Sequence, residues 1–234
     1  MSQSPNRILN SLPQNIFAAV EPHLRIVNLP FGDVISETDQ IVSTVYFPHS
    51  GIISLVVEMQ VGDMIETAMV GRDGVVNATS ALDGNISLHR GLVQAEGAAS
   101  VISPGALRKL ADEFTPFRSI LIRHEQVLLA QAQQSAASNA SHPVEARMCR
   151  WLLRIRDLIQ SSEMKLTQEF LAQVLGVRRT SVSVVAGMLQ QAGWIKYRHG
   201  SIQIMDFNGL RSGVCECYDR VFGHYERPLS TPAA

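Results

Sequence analysis

The chain of 234 residues is 46 % hydrophobic and 18 % charged, with a formal net charge of −1 at pH 7, which leaves room for two globular domains with sizeable cores. No apolar run approaches the ~20 residues of a membrane span, and the start Met1-Ser-Gln-Ser-Pro-Asn-Arg7 lacks the apolar stretch of a secretory leader, so a cytoplasmic address is expected. Three cysteines, Cys149, Cys215 and Cys217, are an odd number that argues against a secreted disulfide framework.

In chain order, Ile16–Val20 suggests a short helix after a polar start. From Leu24 to Ile102 the pattern breaks into short β-rich runs: Ile41–Phe47, Gly51–Val57, Met64–Val70, Leu88–Gln94 and Ala98–Ile102. They are separated by Pro-His-Ser-Gly, Gly-Asp and Asp-Gly-Asn turn signals. This rhythm predicts an antiparallel double sheet or jelly roll, and would equally suit another small β-sandwich. Arg72-Asp73-Gly74 reads as a turn, with Arg72 also available to an anionic effector. Helical spacing returns after Ser103-Pro104, with Leu107 and Leu110 on a short helix. A long helix follows from Phe117 to about Ala140, its stripe formed by Phe117, Ile120, Leu121, His124, Val127 and Leu128. Ala130, Ala132, Ala136 and Ala137 are small enough for another helix to approach. Two copies packing along this helix would make a symmetric dimer; the plainer alternative docks the stripe on the chain's own barrel.

A further helix opens at Pro143 and Glu145 and buries Val144, Met148, Trp151, Leu152, Ile155 and Leu158. Cys149 lies on it beside Trp151 and reads as core. Ser161-Ser-Glu163 is a short polar connection, and the domain break falls near Ser138 to Pro143. Next come two short helices and a tight turn. Thr167 can cap the first helix, with Glu169 in its first turn. Phe170, Leu171, Val174 and Leu175 give it one apolar face, Ala172 permits a close crossing, and Gly176 ends it. The second helix turns Val182, Val185, Ala186 and Leu189 inward. Arg178, Arg179, Thr180, Ser181 and Ser183 stay near its outward, N-terminal end. An arginine offers a planar fork of donors to guanine O6 and N7 or to a phosphate, and hydroxyls serve either target. The pair therefore reads as a helix-turn-helix, with an ordinary helical hairpin as the bland alternative. Ala192-Gly193 stops the second helix. Trp194–Tyr197 and Ser201–Met205 then form a hairpin, or wing, whose Lys196, Arg198 and His199 can reach phosphates unless the turn is merely an exposed polar one. Charge supports this reading: residues 141–234 carry 12 Lys+Arg against 8 Asp+Glu, +4, leaving 8 against 13, −5, for residues 1–140. An anionic partner is expected for the C-terminal part only, with affinity that falls as salt rises.

Cys215-Glu-Cys217 is a weak zinc signal, since one Cys-x-Cys lacks a second pair or a matched histidine set; no metal is expected, and a thiol switch is only slightly better supported. Enzyme chemistry is not expected either. His23, His49, His89 and His124 are scattered singly, and neither a Gly-rich phosphate loop nor a nucleophile elbow is present.

The order of barrel, long helix and winged helix-turn-helix resembles the Crp/Fnr family of bacterial transcription regulators over nearly the whole chain. The likeness rests on Thr167-Gln-Glu-Phe-Leu-Ala, Gly176-Val-Arg-Arg-Thr-Ser-Val, Leu189 and Gly193-Trp-Ile, and in the barrel on strand rhythm and on Gly51 after Tyr46-Phe47. The resemblance implies an α+β fold: a cyclic-nucleotide-binding-like jelly-roll barrel over residues 1–115, a dimerisation helix over 116–140 and a winged helix-turn-helix over 141–234. It implies DNA contacts from Thr167, Gln168, Arg178, Arg179, Thr180, Ser181, Ser183, Lys196, Arg198 and His199. Within that set Arg179 matches the family's guanine-reading arginine and Ser181 a phosphate-contacting hydroxyl. Thr180 stands where many members have a base-reading glutamate, and Val184 where some have a second arginine, so a different operator follows.

The effector segments resemble Gly74-Val-Val-Asn77 and His89-Arg90-Gly91. They lack the glutamate that accepts from a ribose hydroxyl, and the arginine is offset by one position, which in a strand turns it to the other face. Arg72, Val76, His89 and Arg90 remain the candidate effector contacts, and cyclic AMP is not the expected ligand. No cysteine precedes Cys149, so the N-terminal cluster of an iron-sulfur sensor is missing as well. The expected partners are double-stranded DNA with a two-fold symmetric operator, a second copy of the chain and, for an activator, RNA polymerase. No cofactor is expected and the effector is open. A rival reading is a small-molecule-binding adaptor whose C-terminal domain holds proteins.

Overall fold

The computed structural model describes residues 4–59, 64–221 and 223. Asn6 caps the first helix, α1 (Arg7–Asn10), by accepting from the amides of Ile8 and Leu9. The Asn6 amide also donates to the carbonyls of Pro48 at 2.9 Å and Gly74 at 2.8 Å, which fastens the start of the chain across the barrel. A polar start was expected here, and α1 was not. After α2 (Gln14–Val20) and a 3₁₀ turn, Glu21–His23, the strands are β1 (Arg25–Leu29), β2 (Val34–Ser36), β3 (Val45–Pro48), β4 (Ile52–Glu58) and β5 (Met64–Val70). A short helix α3 (Ala78–Leu82), also unanticipated, precedes β6 (Arg90–Ala95) and β7 (Gly97–Ile102).

These strands form two antiparallel sheets, one ordered β1-β7-β3 and the other β2-β6-β4-β5. The faces turned towards each other carry Leu29, Val101 and Ala99 from the first sheet and Ile53, Leu55, Ala68, Val70 and Val93 from the second, all buried in one apolar cluster. This is the jelly-roll type of barrel. The expected strand Ile41–Phe47 is shorter than its β-rich composition suggested. Ile41 makes only an isolated bridge to Ile86 and is 78 % exposed, so although Val42 is buried the start of that run joins no strand ladder. Gly51, just before β4, has φ 77°, and an added Cβ there would stand 2.5 Å from the carbonyl oxygen of Ala95; only glycine fits that turn.

Helices α4 (Pro104–Glu113) and α5 (Thr115–Ser141) follow. Phe117, Ile120 and Leu121 of α5 join α1, α2, α4, Val45 and Phe47 in a second cluster that plugs one end of the barrel, while Leu128 joins the cluster between the sheets. The stripe taken as a possible dimer seam therefore packs on the chain's own barrel. The opposite face of α5 is the one left open. Its exposed residues Ile122, Gln126, Leu129, Gln133, Ala136 and Ala140 recur at alternating spacings of four and three, the period of a coiled-coil seam.

The C-terminal unit consists of α6 (Val144–Ile159), β8 (Glu163–Lys165), α7 (Gln168–Leu175), α8 (Arg179–Gln191), β9 (Ile195–Arg198), β10 (Ser201–Ile204) and α9 (Phe207–Ser212). Its core gathers Met148, Leu152, Ile155, Leu171, Leu175, Val182, Leu189, Ile195 and Ile202 and extends onto the barrel through Ile52 and Met69. The stretch read as a connection at Glu163 continues into a strand, β8, which pairs with β10 in a three-stranded sheet ordered β8-β10-β9. Only Met164 of this strand is buried, and a three-residue strand carries too little alternation to be seen in advance.

Candidate nucleic-acid interface

Thr167 sits in extended geometry at the N-cap of α7, and its hydroxyl accepts from the amide of Phe170 at 3.1 Å. The helix ends at Gly176, φ 61°, where the amide of Val177 returns to the carbonyl of Ala172 at 2.9 Å. Arg147 on α6 donates to the last-turn carbonyl of Leu175, placing a cation at the negative end of α7. Two residues after the glycine, α8 opens at its N-cap, Arg178. Burial of Val182, Val185, Ala186 and Leu189 sets the rotation of α8. Arg178, Arg179, Thr180 and Ser183 are left exposed and Ser181 half-buried. This first turn also presents the free amide hydrogens of the helix start, which favour an anion.

The wing turn has positive φ at both central residues, His199 at 51° and Gly200 at 73°, as a type I′ two-residue hairpin requires. Lys196, Arg198 and His199 are exposed on it. Three contacts join the wing and the two helices into one surface. The amide of Leu166 donates to the carbonyl of Gly200 at 2.7 Å. The hydroxyl of Tyr197 donates to the carbonyl of Leu166 at 3.1 Å. Ser183 Oγ donates to Gln168 Oε1 at 2.7 Å, which uses the acceptor end of that amide and leaves its NH₂ as a donor group. Thr167, Gln168, the first turn of α8 and the wing tip thus form a continuous face. Two exposed residues not read from the sequence as contacts border it: Lys165, whose register partner is Ser201, and Glu169, the first-turn acid of α7, whose carboxylate lies 3.8 Å from Arg179 Nε with both side chains 67 % exposed. An ion pair so open contributes at most about 1 kcal/mol. It orients the guanidinium without tying it up. Val184 and Met188 expose apolar surface further along the same helix, 63 % and 48 %, of a kind that meets a thymine methyl.

The four candidate effector residues do not come together. Arg72 donates to Gln160 at the end of α6. Val76 is buried and bridges Tyr46 of β3 in the β1-β7-β3 sheet. Arg90 is in β6 of the other sheet, ion-paired to Glu37 at 3.3 Å and Glu58 at 2.9 Å, with His89 just before that strand. The turn at 71–77 instead meets the long helix: His124, buried on α5, accepts from the amide of Val75 at 3.3 Å. Burial lowers the His124 pKa to about 4, so the ring is neutral at physiological pH.

The barrel and the C-terminal unit are joined by polar contacts as well as by Ile52 and Met69. Glu66 of β5 accepts from Trp151 Nε1 at 2.8 Å and from Ser54 Oγ at 2.5 Å. Burial pushes its pKa up to about 7, against the opposing pull of these hydrogen bonds and of Arg150 and Arg154. Asp73 and Arg154 form a buried ion pair at 2.7 Å. Among the described residues one group has the side chains to hold a metal ion, His142 with Cys215 and Cys217.

The barrel, the long helix and this basic face define the class of fold: an N-terminal jelly-roll barrel joined through a long helix to a C-terminal winged helix-turn-helix. Residues 146–212 match the family model of the Crp-like helix-turn-helix domain. Solved structures extend the likeness to the rest of the chain. A transcriptional regulator of the CRP/FNR family from Thermus thermophilus is 21 % identical with a TM-score of 0.66, covering 81 % of this chain and 97 % of that one. The c-di-GMP responsive global regulator CLP of Xanthomonas campestris is 16 % identical with a TM-score of 0.66, covering 83 % and 100 %. FixK2 from Bradyrhizobium japonicum is 13 % identical with a TM-score of 0.67, covering 82 % and 98 %. No curated protein matches the chain in sequence. The chain thus carries a Crp-like helix-turn-helix domain over residues 146–212 on a fold shared with those solved regulators. No helix among the described residues is long and apolar enough to cross a membrane.

Proposed function

We propose that the chain acts in the cytoplasm as a homodimeric, sequence-specific transcription regulator without enzymatic activity. It binds a two-fold symmetric site in double-stranded DNA through α8 and the wing, and its barrel senses an effector other than cyclic AMP. The observation that carries this reading is the continuous exposed face of Arg178, Arg179, Thr180 and Ser183, tied to the wing through Gln168 and Leu166. In this assignment Arg179 reads guanine, while Arg178, Ser181, Lys196, Arg198 and His199 hold phosphates. Thr180 and Val184 replace charged readers and select a different base sequence, with Val184 offering apolar contact to a thymine methyl. The division into a sensor domain 1–115, a dimerisation helix 116–140 and a DNA-binding domain 141–234 accompanies the same proposal.

The exposed face of α5, with Ile122 and Leu129 at 43 % and 59 % exposure, supplies the dimer seam. Pairing along it would present two α8 helices to half-sites about one DNA turn apart. The turn at 74–77 contributes no carboxylate to a ribose, and Arg90 would have to leave two glutamates to meet a cyclic phosphate. A ligand acts by binding the DNA-competent arrangement better than the alternative, and the contact of Val75 with His124 provides a route from the turn to the long helix.

Footprinting on the promoter beside its own gene, with Arg179→Ala as control and salt as a variable, tests the reading. A protected symmetric site that weakens with salt and with the substitution supports it; indifference to both refutes it.

A further inference from the structure

We infer that His142, Cys215 and Cys217 form a binding site for one thiophilic metal ion, with Zn²⁺ the natural probe, at the junction between the long helix and the DNA-binding unit. The two cysteines follow α9 in the chain, and His142 is the C-cap of α5, 75 residues before Cys217. The fold brings the three ligand atoms within 4.8 Å of one another.

The geometry is close to that of a bound site. His142 Nδ1 lies 3.6 Å from Cys217 Sγ, and a tetrahedral ion with bonds of about 2.3 Å to sulfur and about 2.05 Å to nitrogen separates those atoms by about 3.6 Å. The surroundings point the same way. The other ring nitrogen of His142, Nε2, lies 3.4 Å from the carboxylate of Glu216. A proton held there on Nε2 directs the lone pair of Nδ1 towards the two sulfurs, as the carboxylate-histidine pairs behind metal ligands do. Gln134 of α5 donates to Cys217 Sγ at 2.9 Å, and Ser138 Oγ lies 3.8 Å from Cys215 Sγ. The Gln134 donor stabilises sulfur carrying negative charge. Two thiolates and an imidazole suit Zn²⁺ or Cu⁺ over Mg²⁺ or Ca²⁺ and leave a fourth position open for water.

On binding at neutral pH the two thiols release their protons to solvent and the metal takes the sulfur lone pairs; no electron is transferred. An ion held here pins the segment after α9 to the last turns of α5, beside the start of α6. Site occupancy and the seating of the DNA-binding unit are therefore linked.

The test uses the reduced full-length chain after chelator treatment, titrated with Co²⁺ and then Zn²⁺ in the absence of DNA. The expected result is a thiolate-to-cobalt charge-transfer band that zinc abolishes, and one zinc per chain by native mass spectrometry. Cys215→Ser and Cys217→Ser each remove much of the band. Glu216→Gln removes no ligand, so it keeps the test valid should a cysteine variant misfold, and it weakens zinc by about 10- to 100-fold. Absence of the band and of a zinc adduct in the unmodified protein overturns the proposal. So does a band that survives both cysteine substitutions, wild-type affinity in Glu216→Gln, or air oxidation of the pair to a disulfide with no zinc retained beforehand.

Discussion

Replacing Glu66 by glutamine is expected to change the pH dependence of stability in a way that isolates one carboxyl. Its pKa rises from 4.5 in the unfolded chain to about 7 in the fold, chiefly through burial against α6. Between those values the native state holds a proton that the unfolded state has released, so the contribution of this carboxyl to stability is greatest below pH 4.5 and is lost as pH rises through 7. The shift of about 2.5 units, at 1.36 kcal/mol each, makes the buried carboxylate cost about 3 kcal/mol above pH 8 relative to its protonated form. Glutamine keeps an acceptor for Trp151 and carries no charge, so it should match the wild type near pH 5 and exceed it by about 2 to 3 kcal/mol at pH 8. Urea titrations at both values, followed by tryptophan fluorescence, measure the difference. If the gap between variant and wild type is equal at the two pH values, the carboxyl does not titrate in this window and the reasoning fails.

Arg179→Ala should remove one base contact per subunit, about 2 to 6 kcal/mol for a dimer or roughly 30- to 20,000-fold in affinity for the best operator, with much less loss on nonspecific DNA; equal losses on both would show that the residue meets only phosphate. Lys196→Ala should weaken all sequences alike and make the log–log salt dependence shallower by about 1 per subunit, which gel shifts at several salt concentrations determine. Leu129→Glu, on the open face of α5, should convert a dimer to a monomer in sedimentation velocity while leaving the melting of each unit nearly unchanged; a persistent dimer would place the seam elsewhere.

The helix-turn-helix was legible because its instructions are local. A cap at Thr167, a left-handed glycine at 176 and apolar residues three and four apart lie within one short stretch of chain, and the structure places each as that spacing requires. The rhythm of the barrel was legible too, though not its limits. Ile41 has the composition of a strand residue and still faces solvent, since what decides is whether a second layer covers it. The long helix shows the same limit. Periodicity identified an apolar stripe but could not say whether a partner or the barrel covers it, and the exposed seam of Ile122 and Leu129 is diluted by two glutamines. Least visible was the neighbourhood of His142 and Cys217, which are distant in sequence and meet only because the chain returns to the end of α5. The candidate effector residues failed to converge for a related reason: the turn holding Arg72 and Val76 lies against β3 and the long helix, while Arg90 belongs to β6 of the other sheet, a separation that spacing in sequence does not reveal.

The packing of His124 against the turn at Gly74 leaves no slack. Even the hydrogen-sized side of that glycine is filled, for a Cβ there would stand 2.4 Å from the imidazole Nε2. The turn and the helix therefore behave like a cam and its follower: anything that displaces the backbone at 74–75 by a fraction of an ångström must either swing the ring aside or push the helix axis with it. Because the ring stays uncharged over the physiological range, that linkage transmits position and is blind to acidity.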